Sequence, residues 1–149
     1  MNLRDILEGI KRPLCTLPSN QAVDGAIRKM AGQNVAALIV TEGSRAVGIF
    51  TATDIIRAYV SDPAADLNRI RLRDTMTSKL ITGHPDDSVT SAAAMMIRAK
   101  IRHLPVIAQG RILGMLTIGE LMEHRLAMLD GELNDLKEYI AHLHDAAHD

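Results

Sequence analysis

Aromatic side chains are nearly missing: 149 residues hold one Phe, two Tyr and no Trp. A core must therefore come from Ala, Val, Ile, Leu and Met, and the stacking platforms of single-strand nucleic-acid binders are lacking. A single cysteine, Cys15, excludes an internal disulfide and fits a reducing cytoplasm. The formal net charge is only −1, which gives no electrostatic reason to expect nucleic acid or an anionic membrane as partner. No apolar run approaches the ~20 residues of a membrane span. The opening Met1-Asn2-Leu3-Arg4-Asp5 lacks the apolar run of a signal peptide. Glycine-rich phosphate loops, nucleophile elbows and paired-Cys zinc motifs are also absent, so no constellation supports an enzyme.

What the chain does have is a copy of itself. Positions 66 apart match without a gap from Cys15 to Val60: Thr16 with Thr82, Val23 with Val89, Met30 with Met96, Leu38 with Leu104, Gly48 with Gly114 and Thr51 with Thr117. Such a repeat governs every other reading. The length suits about one domain, and halves this small would be marginal alone, so a shared core is expected.

Each copy reads as strand, helix, strand, strand, helix. In the first, Leu14 to Leu17 is a strand after Pro13, and Ser19 or Asn20 can cap the next helix. Val23, Ala26, Ile27 and Met30 make its buried face, and Gly32 closes it. Strands at 36–41 and 46–50 flank a turn at Gly43. Thr51 then caps a helix running to about Val60. In the second, Leu80-Ile81-Thr82 is the matching first strand, and a helix with Val89, Ala92, Ala93 and Met96 inward follows. Leu104 and Val106 alternate with more polar neighbours in the next strand, and Gly110 marks the turn. Pro105 is expected to end strand pairing at an edge and leave carbonyls free. Arg73-Asp74-Thr75-Met76 echoes Arg4-Asp5-Ile6-Leu7, now 69 apart.

Beyond Glu120 the duplication ends. Met122, Leu126, Leu129, Leu133, Leu136, Ile140, Leu143 and Ala147 alternate steps of four and three, an unbroken heptad pattern. It fits either a long helix lying on its own domain or a seam with the same helix of a second subunit, and the seam is preferred. His144 and His148 stand four apart, a spacing that can hold metal. No third ligand joins them, so a solvated face is the reading and no metal is expected.

The duplicated unit resembles the cystathionine-β-synthase (CBS) domain pair, or Bateman module. Arg73-Asp74-Thr75-Met76-Thr77, His103-Leu104-Pro105-Val106, Gly114-Met115-Leu116-Thr117 and Glu120-Leu121 carry the likeness, with Gly48-Ile49-Phe50-Thr51 and Asp54-Ile55 in the first copy. The chain is similar to stand-alone bacterial members with a helical tail. The resemblance implies an α+β fold of tandem repeats (β-α-β-β-α twice) about a pseudo-twofold axis, plus a long C-terminal helix. The expected parts are residues 1–66 as the first repeat with the N-terminal helix, 67–126 as the second, and 127–149 as the tail. It implies a non-enzymatic sensor that binds an adenosyl nucleotide (AMP, ADP, ATP, NAD or S-adenosylmethionine) between its repeats. Signalling would pass through the shape of a homodimer to a regulated protein that the sequence does not identify. The alternative is a ligand-free interaction module acting through its C-terminal helix.

In the family a Thr/Ser-x-x-Asp step holds the ligand's ribose, because a carboxylate can accept from both hydroxyls and helix amides favour phosphate. Thr51 and Asp54 keep that pattern; Thr117 and Glu120 keep it with a longer acid. Plain helix capping explains the same spacing. Arg102 and His103 are aimed at phosphates by the resemblance, where the first copy has only Ala36 and Ala37. One good anion-binding cleft is therefore expected, with Arg57 and Lys79 as further cations. Pro105 and the paired Thr16 and Thr82 complete the expected nucleotide contacts.

Overall fold

The computed structural model describes the backbone of residues 1–148 and side chains through 144. Helix α1 (Leu3–Glu8) precedes β1 (Thr16–Pro18), α2 (Val23–Gln33), β2 (Ala37–Glu42), β3 (Arg45–Thr51) and α3 (Ala52–Ser61). The second half follows as α4 (Leu72–Thr75), α5 (Val89–Ala99), β4 (His103–Ala108), β5 (Arg111–Thr117) and α6 (Ile118–His148). The α+β repeat architecture expected from the sequence is what forms.

Two cores correspond to the two copies. Val23, Ala26 and Met30 of α2 bury against Leu38, Val40 and Phe50; Val89, Ala92 and Met96 of α5 bury against Leu104, Val106 and Leu116. The short helices cross over. Leu3 of α1 is fully buried in the second core, and Leu72 of α4 in the first. The backbone bonds repeat too: Leu3 N donates to Asp87 O at 3.0 Å as Leu72 N donates to Gln21 O at 2.9 Å. Arg4 N–Pro85 O and Arg73 N–Ser19 O, both 3.0 Å, form the next matching pair. These correspondences express the pseudo-twofold relation.

The copies differ at their first strands. In the first, β1, β2 and β3 form one sheet, with β1 parallel to β2. In the second, only β4 and β5 pair, and Leu80-Ile81-Thr82 is not a strand. Pro105 explains this. Ile39 N donates to Cys15 O at 3.0 Å. The residue 66 positions later is Pro105, which has no N–H to give Ile81. What survives is a bridge: Gly83 N donates to Pro105 O at 2.8 Å, and Ile107 N to Gly83 O at 2.9 Å. Pro105 therefore does not sit at a free edge as expected. It is buried within β4 opposite Met115, and its carbonyl is taken.

One smaller expectation also changes. Gly32 lies inside α2, which ends on Asn34 in the left-handed region (φ 54°); Lys100 repeats that ending after α5 (φ 57°). The tail does not lie on its own domain: every residue from Leu126 to His144 is exposed. His148 and Ala147 have side chains outside the described residues.

Candidate functional site

β3 and β5 each run straight into a helix, α3 and α6, so Thr51 and Thr117 stand where strand becomes helix. Asp54 and Glu120 follow three residues on and reach back, as a capping box requires. Thr51 N donates to Asp54 Oδ2 at 2.9 Å, and Thr117 N to Glu120 Oε1 at 3.3 Å.

The two acids then meet different neighbours. Asp54 is buried, 3 % exposed. Oδ1 also accepts from Thr77 Oγ1 at 3.2 Å and from Arg57 Nη1 at 3.4 Å. Both carboxylate oxygens are thus occupied. Glu120 is engaged through one oxygen only: Oε1 takes Thr117 Oγ1 at 2.9 Å and the Arg12 guanidinium at 2.7 Å. Oε2 is shielded from solvent and accepts nothing among the described residues. A buried carboxylate oxygen without a donor is costly.

Arg12 has no counterpart among the expected site residues. It comes from the segment before β1 and donates to Met115 O at 2.7 Å while it pairs with Glu120. Thr77 occupies the mirror position in the other half, paired through its backbone with Ile49 at 2.9 and 3.0 Å. Arg12 lies just before residues 14–17 of the first copy, as Lys79 lies just before residues 80–82 of the second; that likeness was the only available signal.

Arg12, with Leu14, Cys15, Val35, Gly114 and Met115 among its other walls, lines a cleft of about 160 Å³ between the two repeats. Ligand pockets usually run to ~300–1,000 Å³. This one is smaller than that range. His103 stands opposite Thr117 in the β4–β5 register. Burial lowers its pKa below the usual imidazole value, Arg12 and Arg102 lower it further, and Glu120 opposes them. Glu120 lines a different hollow, of about 410 Å³, with Asp5, Ile6, Gly9, Ile10, Glu123 and His124, and its ion pair with Arg12 is what ties it to the cleft. Arg102 itself is exposed.

Other expected residues lie apart. Asp54 and Arg57 line a separate cavity of about 410 Å³ with Ile70 and Asp74. Thr16 is half-buried, and its carbonyl accepts from Lys29 Nζ at 2.7 Å. Thr82 is exposed. Burial pushes the Cys15 thiol pKa up, which makes it a poor nucleophile. Among the described residues no group of three or more His, Cys, Asp or Glu could hold a metal ion.

Comparison with known proteins agrees with this architecture. The sequence model of the CBS domain family matches residues 3–61 and 72–127. The chain belongs to the CBS domain family and carries two copies of the domain. It is 32 % identical over 131 residues to the CBS domain-containing protein CBSX3, mitochondrial, of Arabidopsis thaliana, covering 85 % of this chain and 62 % of that one. Two further Arabidopsis relatives are much longer, this chain covering 21 % of each. Among solved structures, the CBS domain protein PAE2072 from Pyrobaculum aerophilum complexed with AMP superposes with a TM-score of 0.75 at 27 % identity, over 87 % of this chain and 97 % of that one. The CBS domain pair of protein MJ0100, in complex with 5-methylthioadenosine and S-adenosyl-L-methionine, gives 0.71 at 26 % identity, over 83 % and 98 %.

Proposed function

We propose that this chain is a non-catalytic regulatory module of the cytoplasm that binds an adenosyl nucleotide of the AMP class between its repeats. As a homodimer, it passes that state to a protein partner through its shape. Support comes from related CBS structures that hold AMP or S-adenosylmethionine. The observation that carries the reading is Glu120 Oε2, buried and unpartnered while Oε1 pairs with Arg12, a wall of the cleft between the repeats. In it Oε2 takes a ribose hydroxyl, the cleft takes the base, and Arg12, Arg102 and His103 face the phosphate. The cations favour AMP, ADP, ATP or NAD over cationic S-adenosylmethionine. Asp54, with both oxygens occupied, becomes the weaker of the two acids, the reverse of what its better motif suggested.

Calorimetric titration with AMP and with adenosine tests this. A charge-assisted hydrogen bond contributes ~1.5–3 kcal/mol, so Arg12→Ala is expected to weaken AMP about 10–100-fold and adenosine much less. Glu120→Gln is expected to weaken both. Unchanged affinity in both variants overturns the site.

A second reading has its own support: Asp54 is internally satisfied and α6 presents bare apolar residues, which suits an interaction module with empty clefts. Thermal shifts that rise with nucleotide concentration favour the first reading, and no response to AMP, ATP, NAD or S-adenosylmethionine favours the second.

A further inference from the structure

Helix α6 leaves the second core at Leu121, which is fully buried, and then carries its apolar residues uncovered. Met122 is 38 % exposed and Leu126 59 %, although both lie close to the domain. The face that holds α6 to its own domain is thus not the heptad face. In heptad terms Leu126, Leu133 and Ile140 take a positions; Met122, Leu129, Leu136 and Leu143 take d. Gly131 falls at f, on the far side, where its weak helix propensity does not touch the seam.

The flanking charges point to the occupant. Arg125 and Glu132 are at g; Asp130 and Lys137 are at e. In a parallel, in-register pair, g of one helix faces the e residue five positions on in its partner. Arg125 then meets Asp130 and Glu132 meets Lys137, opposite signs each time, and the twofold axis repeats both pairs on the other flank. A fully overlapped antiparallel pair matches Asp130 with Lys137 but leaves Arg125 and Glu132 without opposite charges.

We infer that α6 of two copies of this chain forms a parallel, in-register coiled coil that sets their second repeats side by side. The inference rests on the homodimer proposed above and adds its orientation. It also places both Glu120 residues near the head of the seam, six positions before Leu126, so a change at Glu120 has a short route to the partner.

The test uses the full chain with Cys15→Ser and Ile140→Cys. In a parallel seam the two residues 140 face each other, whereas an antiparallel pair matching Asp130 with Lys137 holds them about 20 Å apart, so mild oxidation is expected to give a covalent dimer in nearly full yield. Sedimentation under reducing conditions separates the two claims. A dimer that does not crosslink overturns the orientation and spares the homodimer; a monomer overturns both. Glu132→Lys is expected to weaken dimerisation at least several-fold, and Glu132→Lys with Lys137→Glu to restore it. Failure of the double variant to restore it also overturns the parallel seam.

Discussion

Among single residues, His103 is the one whose protonation should report on the cleft. Burial and two arginines hold its folded-state pKa below the ordinary 6.5. Between the folded value and 6.5 the unfolded chain binds more protons, so stability rises with pH there. The contribution is complete above 6.5 and is lost as pH falls through the lower folded value. A phosphate facing it would stabilise the imidazolium and raise that pKa, so AMP binding should take up a proton and tighten as pH falls from 7.5 to 6. Calorimetry in buffers of different ionisation enthalpy measures the uptake; in His103→Gln both the uptake and the pH trend should vanish. A wild-type affinity that is flat over this range would separate His103 from the ligand. The capping boxes at Thr51 and Thr117 were legible in sequence because their partners lie three residues away. Arg12 was not, because it meets Glu120 only once nearly the whole chain between them has folded. The family resemblance ranked Asp54 above the longer Glu120, since a motif says nothing of Thr77, whose hydroxyl fills Asp54 Oδ1 from another element.

At the level of strands and helices, one proline separates the two copies. The alternation around Leu104 and Val106 marked β4 correctly, but the cost of Pro105 falls on a different segment, residues 80–82, which a local pattern cannot register. Pro105→Ile restores the donor that Ile39 supplies in the first copy. It is expected to draw residues 81–83 into a parallel strand, seen as slowed amide exchange at Ile107 and a protected amide at the substituted position. Exchange as fast as in wild type at Ile107, with no protection at the new amide, would mean that Pro105 is not what keeps the strand apart. The glycines facing each other's halves behave unequally. A Cβ on Gly48 would lie 2.6 Å from Met76 Sδ and 3.0 Å from the Thr77 carbonyl oxygen, whereas one on Gly114 would meet only Leu7, at 2.7 Å from Cδ2. A Leu tip can rotate and a backbone carbonyl cannot. Gly48→Ala should therefore cost ~1–3 kcal/mol in chemical denaturation and Gly114→Ala less. Equal losses would show that the Thr77 backbone gives way as easily as the side chain.

For the molecule as a whole, the exchange of short helices decides what can fold. Sequence order puts Leu3 with the first repeat and Leu72 with the second; packing puts each in the opposite core, completely buried. The faint echo of Arg4-Asp5 in Arg73-Asp74 marked these helices as equivalent, but helical periodicity cannot say which core a helix closes. A chain cut between residues 66 and 67 would strand α1 with the half it does not complete and deprive that half of α4. The expected result is two fragments that are each unfolded alone and regain cooperative structure when mixed. Within the intact chain, Leu3→Ala and Leu72→Ala should each cost ~2–5 kcal/mol. Both should keep a single transition in denaturant, because each helix is joined by the chain to one repeat and packed into the core of the other. If fragment 1–66 alone gave dispersed amide resonances, or Leu3→Ala melted the second half while the first stayed folded, the halves would be independent. A ligand between them could then not be felt by both.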